Sequence, residues 1–189
     1  MSASWDRELM EQIGTAVGEE ARVLYQKDGS GGLCRWAPTI DMERDPRWGR
    51  TEEAYGEDPF LTGEMAGAYI RGMRGDDPFY LRCGATLKHF YANNQEKDRV
   101  RTSSSVDSRN KREYYLEPFR RAVKAGAEAV MTSYNEINGV PAIVNPEVRE
   151  LLKDAGDFRD MWCAMAAICS RQSQSIIISA PMRRPLPSG

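Results

Sequence analysis

Lys88 and His89 directly follow a short apolar run, and His89 is the only histidine among the 189 residues. A cation and an imidazole placed where a buried strand ends are side chains that bind polar ligands, because the end of such a strand opens onto the mouth of a site. The alternative is a strand that ends in solvent, with Lys88 exposed and His89 at the surface or capping a turn. This stretch alone favours the alternative. Two further strands that are also followed by polar loops favour a binding site instead.

Polar loops of unusual length follow each of three predicted strands. The loop at 39–56 is dense in charge and contains Arg50, and a second polar loop follows Lys88 as far as Ser105. The third loop begins at Tyr134. A plain connection needs only about two to six residues. Since the carboxyl ends of parallel strands meet at one rim, the three loops predict a ligand site at that rim.

Helical and strand patterns alternate along the chain. Apolar residues at steps of three and four predict a first amphipathic helix, and glycine and proline residues punctuate the later elements. We predict helices at 4–26, 59–75, 108–126 and 146–154 and strands at 33–37, 84–88 and 129–133. Pro118 is expected to kink or split the third helix. This alternation predicts an α/β fold with a parallel sheet and covering helices.

The composition excludes several classes of function. The 26 basic and 28 acidic residues nearly cancel, so a basic face for nucleic acid has no support. No apolar run approaches the roughly 20 residues that a membrane span needs, and the amino terminus lacks the apolar core of a signal peptide. The four cysteines show no CxxC spacing, and a single histidine excludes a histidine-rich metal site. We therefore expect a soluble, cytoplasmic protein without metal or cofactor that binds neither nucleic acid nor membrane.

Four segments of the chain carry a recognisable pattern, in a consistent order and spacing. They are 38–50 (PTIDMERDPRWGR), 53–59 (EAYGEDP), 87–96 (LKHFYANNQE) and 131–141 (MTSYNEINGVP). Together they resemble glycoside hydrolase family 3, the family of β-glucosidases and β-xylosidases. The resemblance implies a partial (β/α)8 TIM-type barrel, truncated at both ends, for residues 1–159. Residues 160–189 are expected to form an aberrant, poorly ordered tail.

The resemblance assigns roles to four residues. Arg50, Lys88 and His89 would hydrogen-bond the hydroxyl groups of the reacting sugar, and such bonds strengthen as the ring distorts toward an oxocarbenium ion. Tyr134 would lie beside the catalytic nucleophile and orient it. Apart from the resemblance, Tyr134 also fits a half-buried aromatic residue at the end of a strand.

The charged loop leaves other interpretations open. For Arg50 the alternative, or a second role, is an ion pair with Asp41 or Asp45 that pins the loop. Pinning is the main role expected for Arg44 and Arg47. Trp48 is expected to pack the loop rather than to serve as a platform for a sugar ring.

The implied activity is retaining hydrolysis of terminal β-linked sugars, which needs two carboxylates about 5 Å apart and no metal or cofactor. The NNQE version of the second motif, at 93–96, favours the β-glucosidase branch, so the expected partner is a β-linked glucoside or oligosaccharide. In the family the nucleophile is an aspartate on the strand after the helix at 146–154, but no acidic residue occurs at 161–189. The acid/base of most members lies in a second domain. We therefore expect an inactive fragment, with a non-catalytic sugar-binding or interaction module as the alternative.

Two further expectations concern a second possible pair of catalytic carboxylates and the exposed edges of the sheet. Glu96 and Glu136 are an alternative catalytic pair, which we disfavour because glutamates in long loops are usually solvated. Half a barrel exposes sheet edges and apolar helix faces, which predicts self-association through those edges.

The genetic code indicates a shifted reading frame in the tail. Met161 and Trp162 have unique codons, so a frame that starts one nucleotide earlier contains two forced valine codons. The triplet that overlaps Ala164 and Met165 then permits aspartate, which gives Val-Val-Cys-Asp, similar to the nucleophile strand of the family. The alternative is a genuinely divergent carboxyl terminus.

Overall fold

The computed structural model describes residues 1–28, 32–154 and 162–164. The helices are α1 (Arg7–Asp28), α2 (Pro59–Arg74), α3 (Ser108–Asn110), α4 (Glu117–Lys124) and α5 (Pro146–Arg149). The strands are β1 (Cys34–Arg35), β2 (Gly84–Phe90), β3 (Ser103–Ser104), β4 (Ala129–Thr132), β5 (Glu136–Ile137), β6 (Val140–Pro141) and β7 (Trp162–Ala164). Short 3-10 turns lie at Ser2–Ser4, Thr51–Glu53 and Ala142–Val144, and wider π-type turns lie at Lys111–Tyr115 and Glu150–Asp154.

Within the described residues, four strands form a parallel sheet in the order β1-β2-β4-β7. Thr86 of β2 lies beside Ala129 of β4, and Ala129 lies beside Trp162 of β7. The helices α2 and α4 pack together and against this sheet, as βα-repeats require. The predicted parallel sheet with covering helices is confirmed, and over the described ranges it is an open part of a barrel.

A small second sheet is formed within the loops that follow β2 and β4. The strand β3 runs parallel to β5, and β5 pairs with β6 in antiparallel. Asn138 and Gly139 form the turn between β5 and β6 with φ angles of 51° and 83°. Such left-handed conformations suit an Asn-Gly pair in a two-residue hairpin. The strands on either side of the turn have two residues each, too few to show a sequence period.

The helix α2 begins and ends at the residues that its sequence predicts. Asp58 accepts a hydrogen bond from the backbone N–H of Leu61 at 2.6 Å, and Pro59 occupies the first helical position. Gly75 ends the helix with a φ of 78°. A side-chain cap at one end and a glycine at the other satisfy backbone groups that the helix leaves unpaired.

Two glycines allow α1 and α2 to approach closely. A Cβ atom on Gly72 would overlap the carbonyl oxygen of Glu11, and one on Gly14 would overlap the carbonyl oxygen of Tyr69. The first helix therefore packs backbone to backbone on the second. This contact fixes α1 against the layer that supports β2.

The strand β2 is longer than predicted and carries the candidate site. It runs from Gly84 to Phe90, so Lys88 and His89 lie inside the strand rather than beyond its end. Phe90 packs edge-to-face on Phe119 of α4, with ring centroids 4.9 Å apart. The alternative of a strand that ends in solvent at Lys88 is wrong, because His89 and Phe90 are buried.

The predicted third helix divides where proline interrupts its hydrogen bonds. It begins as α3, widens into the turn Lys111–Tyr115, and resumes as α4 with Pro118 in the first turn. Since proline has no N–H to donate, the chain restarts the helix at that point.

The sheet continues past residue 159, where the sequence placed the end of the barrel segment. Trp162–Ala164 form β7 and pair with β4. The remainder of the predicted tail lies outside the described residues, so its order stays a prediction. In the ranges that the structure describes, no helix is both long and apolar enough to cross a membrane.

Candidate functional site

His89 and Asp41 form a buried pair near the carboxyl end of β2. Their side chains are 4% and 1% exposed, and Nδ1 of His89 lies 2.8 Å from Oδ2 of Asp41. The backbone N–H of His89 donates to the same oxygen at 3.2 Å. Asp41 reaches this place because the segment before it runs beside β2, where the N–H of Ile40 donates to the carbonyl of Lys88 at 2.8 Å. Backbone pairing of two neighbouring segments thus brings a carboxylate to the imidazole.

Glu53 holds the two cations of the site. Arg50 donates from Nε and Nη2 to the two carboxylate oxygens of Glu53, both at 2.7 Å. The Nζ atom of Lys88 lies 3.5 Å from Oε2 of Glu53, and the hydroxyl of Thr39 donates to that oxygen at 3.2 Å. A bidentate pair fixes the plane of the guanidinium group. Glu53 therefore keeps Arg50 and Lys88 side by side.

Arg50 also joins the cations to the buried pair. Its Nη1 atom lies 3.3 Å from Nε2 of His89. The structure thus brings three of the four predicted site residues, Arg50, Lys88 and His89, into one connected cluster. Asp41 and Glu53 are the carboxylates that hold this cluster in place.

The two carboxylates differ in their electrostatic surroundings. Hydrogen bonds from Arg50 are the main reason that the pKa of Glu53 falls from 4.5 to about 2, and the charge of Lys88 adds to the effect. Burial raises the pKa of Asp41, and its hydrogen bonds with His89 oppose that shift. Glu53 is therefore a permanent anion at neutral pH that balances part of the cationic charge.

Among the described residues, Tyr134 is connected to the cluster through other side chains. The guanidinium carbon of Arg99 lies 4.8 Å from the centre of the Tyr134 ring. Arg99 donates to Glu96 at 3.1 Å, and Trp48 donates from Nε1 to the other oxygen of Glu96, also at 3.1 Å. The charge of Glu96 acts in turn on Arg50. Tyr134 therefore belongs to the adjoining part of the rim.

This network decides the role of Trp48 and bears on that of Glu96. The side chain of Trp48 is buried, at 4% exposure, and hydrogen-bonded to Glu96, which is the loop-packing role expected for it. Glu96 is held by Trp48 and Arg99, so its carboxylate is engaged rather than free in solvent. The solvated state expected of Glu96 is therefore wrong, and the catalytic pair of Glu96 with Glu136 stays an alternative.

One expected contact is wrong, and one important residue was missed. The expected ion pair of Arg50 with Asp41 or Asp45 is replaced by the pair with Glu53, while Asp45 binds Arg47 at 2.6 Å. Glu53 stands three residues after Arg50, at the end of the turn Thr51–Glu53. That spacing was the available signal, since a single helical turn brings residues i and i+3 together.

The arrangement suits a ligand rich in hydroxyl groups. Arg50 and Lys88 offer hydrogen-bond donors, and their side chains are 19% and 17% exposed. The buried Oδ1 atoms of Asp41 and Asn93 have no hydrogen-bond partner within the described residues. Over the same residues, no group of three His, Cys, Asp or Glu side chains is placed to hold a metal ion. The site therefore combines hydrogen-bond donors with acceptor oxygens, and a hydroxyl group can use both kinds.

Comparison with known proteins places these residues in a family. The model of the glycosyl hydrolase family 3 N-terminal domain matches residues 1–173. A β-glucosidase of Rhizobium radiobacter is 44% identical over 147 residues, which cover 77% of this chain and 17% of that protein. A probable β-D-xylosidase of Arabidopsis thaliana is 35% identical over 159 residues, covering 78% of this chain and 21% of that protein.

The fold agrees with the sequence comparison. The structure of β-glucosidase 3B from Thermotoga neapolitana in complex with α-D-glucose superposes with a TM-score of 0.75 at 35% identity. The match covers 87% of this chain and 22% of that one, so the chain spans about a fifth of the relatives that it matches. With the family model matched over most of its length, the chain belongs to glycosyl hydrolase family 3, within the N-terminal domain.

Proposed function

We propose that this chain carries the hydroxyl-binding part of the sugar site of a retaining β-glycosidase, with terminal β-linked glucose as the preferred sugar. The observation that carries the proposal is the cluster in which Glu53 and Asp41 hold Arg50, Lys88 and His89 together. Fixed cationic donors bind sugar hydroxyls at little cost in lost side-chain freedom, because the ion pairs have already ordered them.

The relatives support both the reaction and the sugar. Relatives named β-glucosidase and β-xylosidase match the chain, and the β-glucosidase of Rhizobium radiobacter has the higher identity of the two described above. Glucose carries a hydroxymethyl group that xylose lacks. The NNQE segment at 93–96 resembles the β-glucosidase branch, which favours glucose.

The proposed chemistry is double displacement without a metal. In such a reaction hydrogen bonds to the ring hydroxyls strengthen as positive charge develops at the anomeric carbon, which lowers the barrier. Arg50, Lys88 and His89 would supply those bonds, and Tyr134 would orient the nucleophile.

The chain as it stands is proposed to bind without turnover. Retaining hydrolysis requires a nucleophilic carboxylate. Residues 161–189, where the family places the nucleophile strand, contain neither aspartate nor glutamate. A chain without that carboxylate can still hold a sugar ring by its hydroxyls.

Binding of glucono-1,5-lactone, followed by calorimetry on the 189-residue chain, tests the proposal. We expect saturable binding that Arg50→Met weakens at least about tenfold, since charge-assisted hydrogen bonds contribute about 1.5–3 kcal/mol. Arg47→Met is the matched control, because Arg47 lies on the same loop and pairs only with the exposed Asp45 among the described contacts. No binding by the unaltered chain, or equal losses in the two variants, would contradict the proposed site.

An assay with an aryl β-glucoside separates the remaining alternatives. We expect no hydrolysis above background from the chain as it stands. Hydrolysis would show that a carboxylate within the chain serves as the nucleophile. Binding without hydrolysis, in a chain whose gene lacks the shifted frame described above, would favour the non-catalytic module.

A further inference from the structure

We propose that Asp41 is a positioning residue that holds His89 in the Nδ1–H tautomer and so makes Nε2 a hydrogen-bond acceptor at the rim of the site. The tautomer is inferred from the contacts of the chain alone. Its consequence for sugar binding rests on the function proposed above.

The first step is the set of donors around Asp41. The Oδ2 atom accepts from the backbone N–H of His89 at 3.2 Å, and Nδ1 of the same residue lies 2.8 Å from it. The amide nitrogen of Asn93 also lies near Nδ1, at 3.4 Å, but Oδ2 of Asp41 is nearer and has a second lone pair free, so we assign Nδ1–H as the donor to that oxygen. Both side chains are almost completely buried, so water does not compete for these bonds.

The second step is the contact on the opposite side of the ring. The Nη1 atom of Arg50 lies 3.3 Å from Nε2 of His89. A guanidinium group has donors and no acceptor, so this contact requires a free lone pair on Nε2. An imidazolium ring would turn an N–H toward the cation, and the two positive charges would repel each other. The two contacts therefore place the ring proton on Nδ1 and the lone pair on Nε2.

The third step concerns what the site offers to a ligand. Lys88 and Arg50 are donors only, whereas Nε2 of His89 accepts. A hydroxyl group that takes the place of Arg50 at Nε2 can accept from one of the cations while it donates to Nε2, and such chains strengthen each bond in them. With the proton on Nε2, the rim would lose this acceptor. Asp41 therefore affects sugar binding through His89, without touching the sugar.

The tautomer can be measured directly, because the chain contains one histidine and the spectrum has one imidazole to assign. In protein labelled with 15N-histidine, we expect a protonated Nδ1 and an unprotonated Nε2 at pH 7, with no sugar present. A protonated Nε2, alone or together with Nδ1, would overturn the proposal without any variant. This result is independent of whether the chain binds sugar.

Two substitutions at Asp41 separate positioning from a general effect on folding. Asp41→Asn keeps an acceptor oxygen and should retain the tautomer, whereas Asp41→Leu removes the acceptor and should give a mixture that includes protonated Nε2. Affinity for glucono-1,5-lactone should fall about tenfold in Asp41→Leu and be largely rescued in Asp41→Asn. Asp45→Leu, on the same loop but bonded to Arg47, is the control and should leave both readouts unchanged.

The outcomes are distinguishable from a failure of the proposed function. If the unaltered chain shows the expected tautomer but binds no lactone, the result supports the positioning role of Asp41 and contradicts the proposed sugar site. If Asp41→Leu folds and shows the unaltered spectrum, the positioning role is wrong. If Asp41→Leu does not fold, the tautomer of the unaltered chain and the conservative Asp41→Asn variant still decide the matter.

Discussion

Arg99 lies over the aromatic ring of Tyr134, with its guanidinium carbon 4.8 Å from the ring centre. The same guanidinium group donates to Glu96, which accepts from Trp48 on the loop after β1. One arginine therefore ties together the loops that follow β1, β2 and β4. These are the loops on which the candidate site is built.

Arg99→Ala should loosen this connection and lower the stability of the fold. A cation–π contact at a partly exposed site contributes about 0.5–1 kcal/mol, and the pair with Glu96 adds a similar or smaller amount. We expect the free energy of unfolding in urea to fall by about 1 kcal/mol. Arg101→Ala, at an exposed position two residues along, should change it by less than about 0.5 kcal/mol. Equal effects of the two substitutions would show that the stacking contributes nothing.

Glu53→Gln should produce a loss of stability that depends on pH. The pKa of Glu53 is lowered from 4.5 to about 2 in the folded protein, so its carboxylate stabilises the fold above about pH 4.5. Between pH 4.5 and pH 2 the unfolded chain binds a proton at Glu53 that the folded protein does not, so the stabilisation is lost over this range. We expect the variant to be less stable by about 1 kcal/mol or less at pH 7, since the pair is partly exposed.

Unfolding curves for Glu53→Gln and the unaltered chain between pH 7 and pH 2 test this dependence. The difference between them should be constant down to about pH 4.5 and then shrink toward zero as the pH approaches 2. Glu52→Gln, at the exposed neighbouring position, should show no such trend. A difference that persists unchanged at pH 2 would mean that Glu53 acts through packing rather than charge.

The sequence predicts the fold well where local signals and the resemblance agree. Asp58 and Pro59 announce the start of α2, and Gly75 marks its end, because a cap and a left-handed residue are local requirements. The alternation of helix and strand was enough to predict the parallel sheet. Strand lengths were less predictable. The strand β2 continues through His89 because it pairs with β4 and is buried there, and neither contact is visible in the local sequence.

The site was only partly predictable, because its buried contact is not local and its local one depends on a turn. The pair of Asp41 with His89 spans 48 residues, and no sequence pattern says which of several loop carboxylates will reach the imidazole. Arg50 had several acidic neighbours, and the choice of Glu53 depends on the turn at Thr51–Glu53. The substrate-binding roles, the cytoplasmic location and the self-association stay predictions.

Gly72→Ala should destabilise the contact between α1 and α2. The new Cβ atom would overlap the carbonyl oxygen of Glu11 and lie 2.7 Å from the backbone nitrogen of Thr15. Neither backbone atom can move without shifting a helix, so we expect a loss of about 1–3 kcal/mol, as for other overpacked interiors.

Gly67→Ala, in the same helix, is the matched control for Gly72→Ala. Its Cβ atom would lie 3.4 Å from the Cβ atom of Ala125, which is ordinary contact. Since alanine favours helix by up to about 1 kcal/mol over glycine, this variant should be as stable as the unaltered chain or more so. Thermal unfolding of the two variants checks the prediction, and similar losses in both would contradict the close approach at Gly72.

The last prediction is that the gene encodes the missing nucleophile in the neighbouring reading frame. The strand β7, Trp162–Ala164, pairs with β4 although its sequence has no aspartate after it. Read from one nucleotide earlier, the codons of Met161, Trp162 and Cys163 contain two valine codons, which suit a buried parallel strand.

The permitted aspartate triplet overlaps Ala164 and Met165, directly after β7 ends. A carboxylate placed there would follow a strand adjacent to β4, whose own carboxyl end leads to Tyr134. This is the neighbourhood that the resemblance assigns to nucleophile and tyrosine. We therefore expect sequencing of the gene to show an aspartate codon at this overlap, followed by an open frame. An asparagine, histidine or tyrosine codon there, or an immediate stop codon, would contradict the shifted reading frame. The tail would then be a genuinely divergent carboxyl terminus.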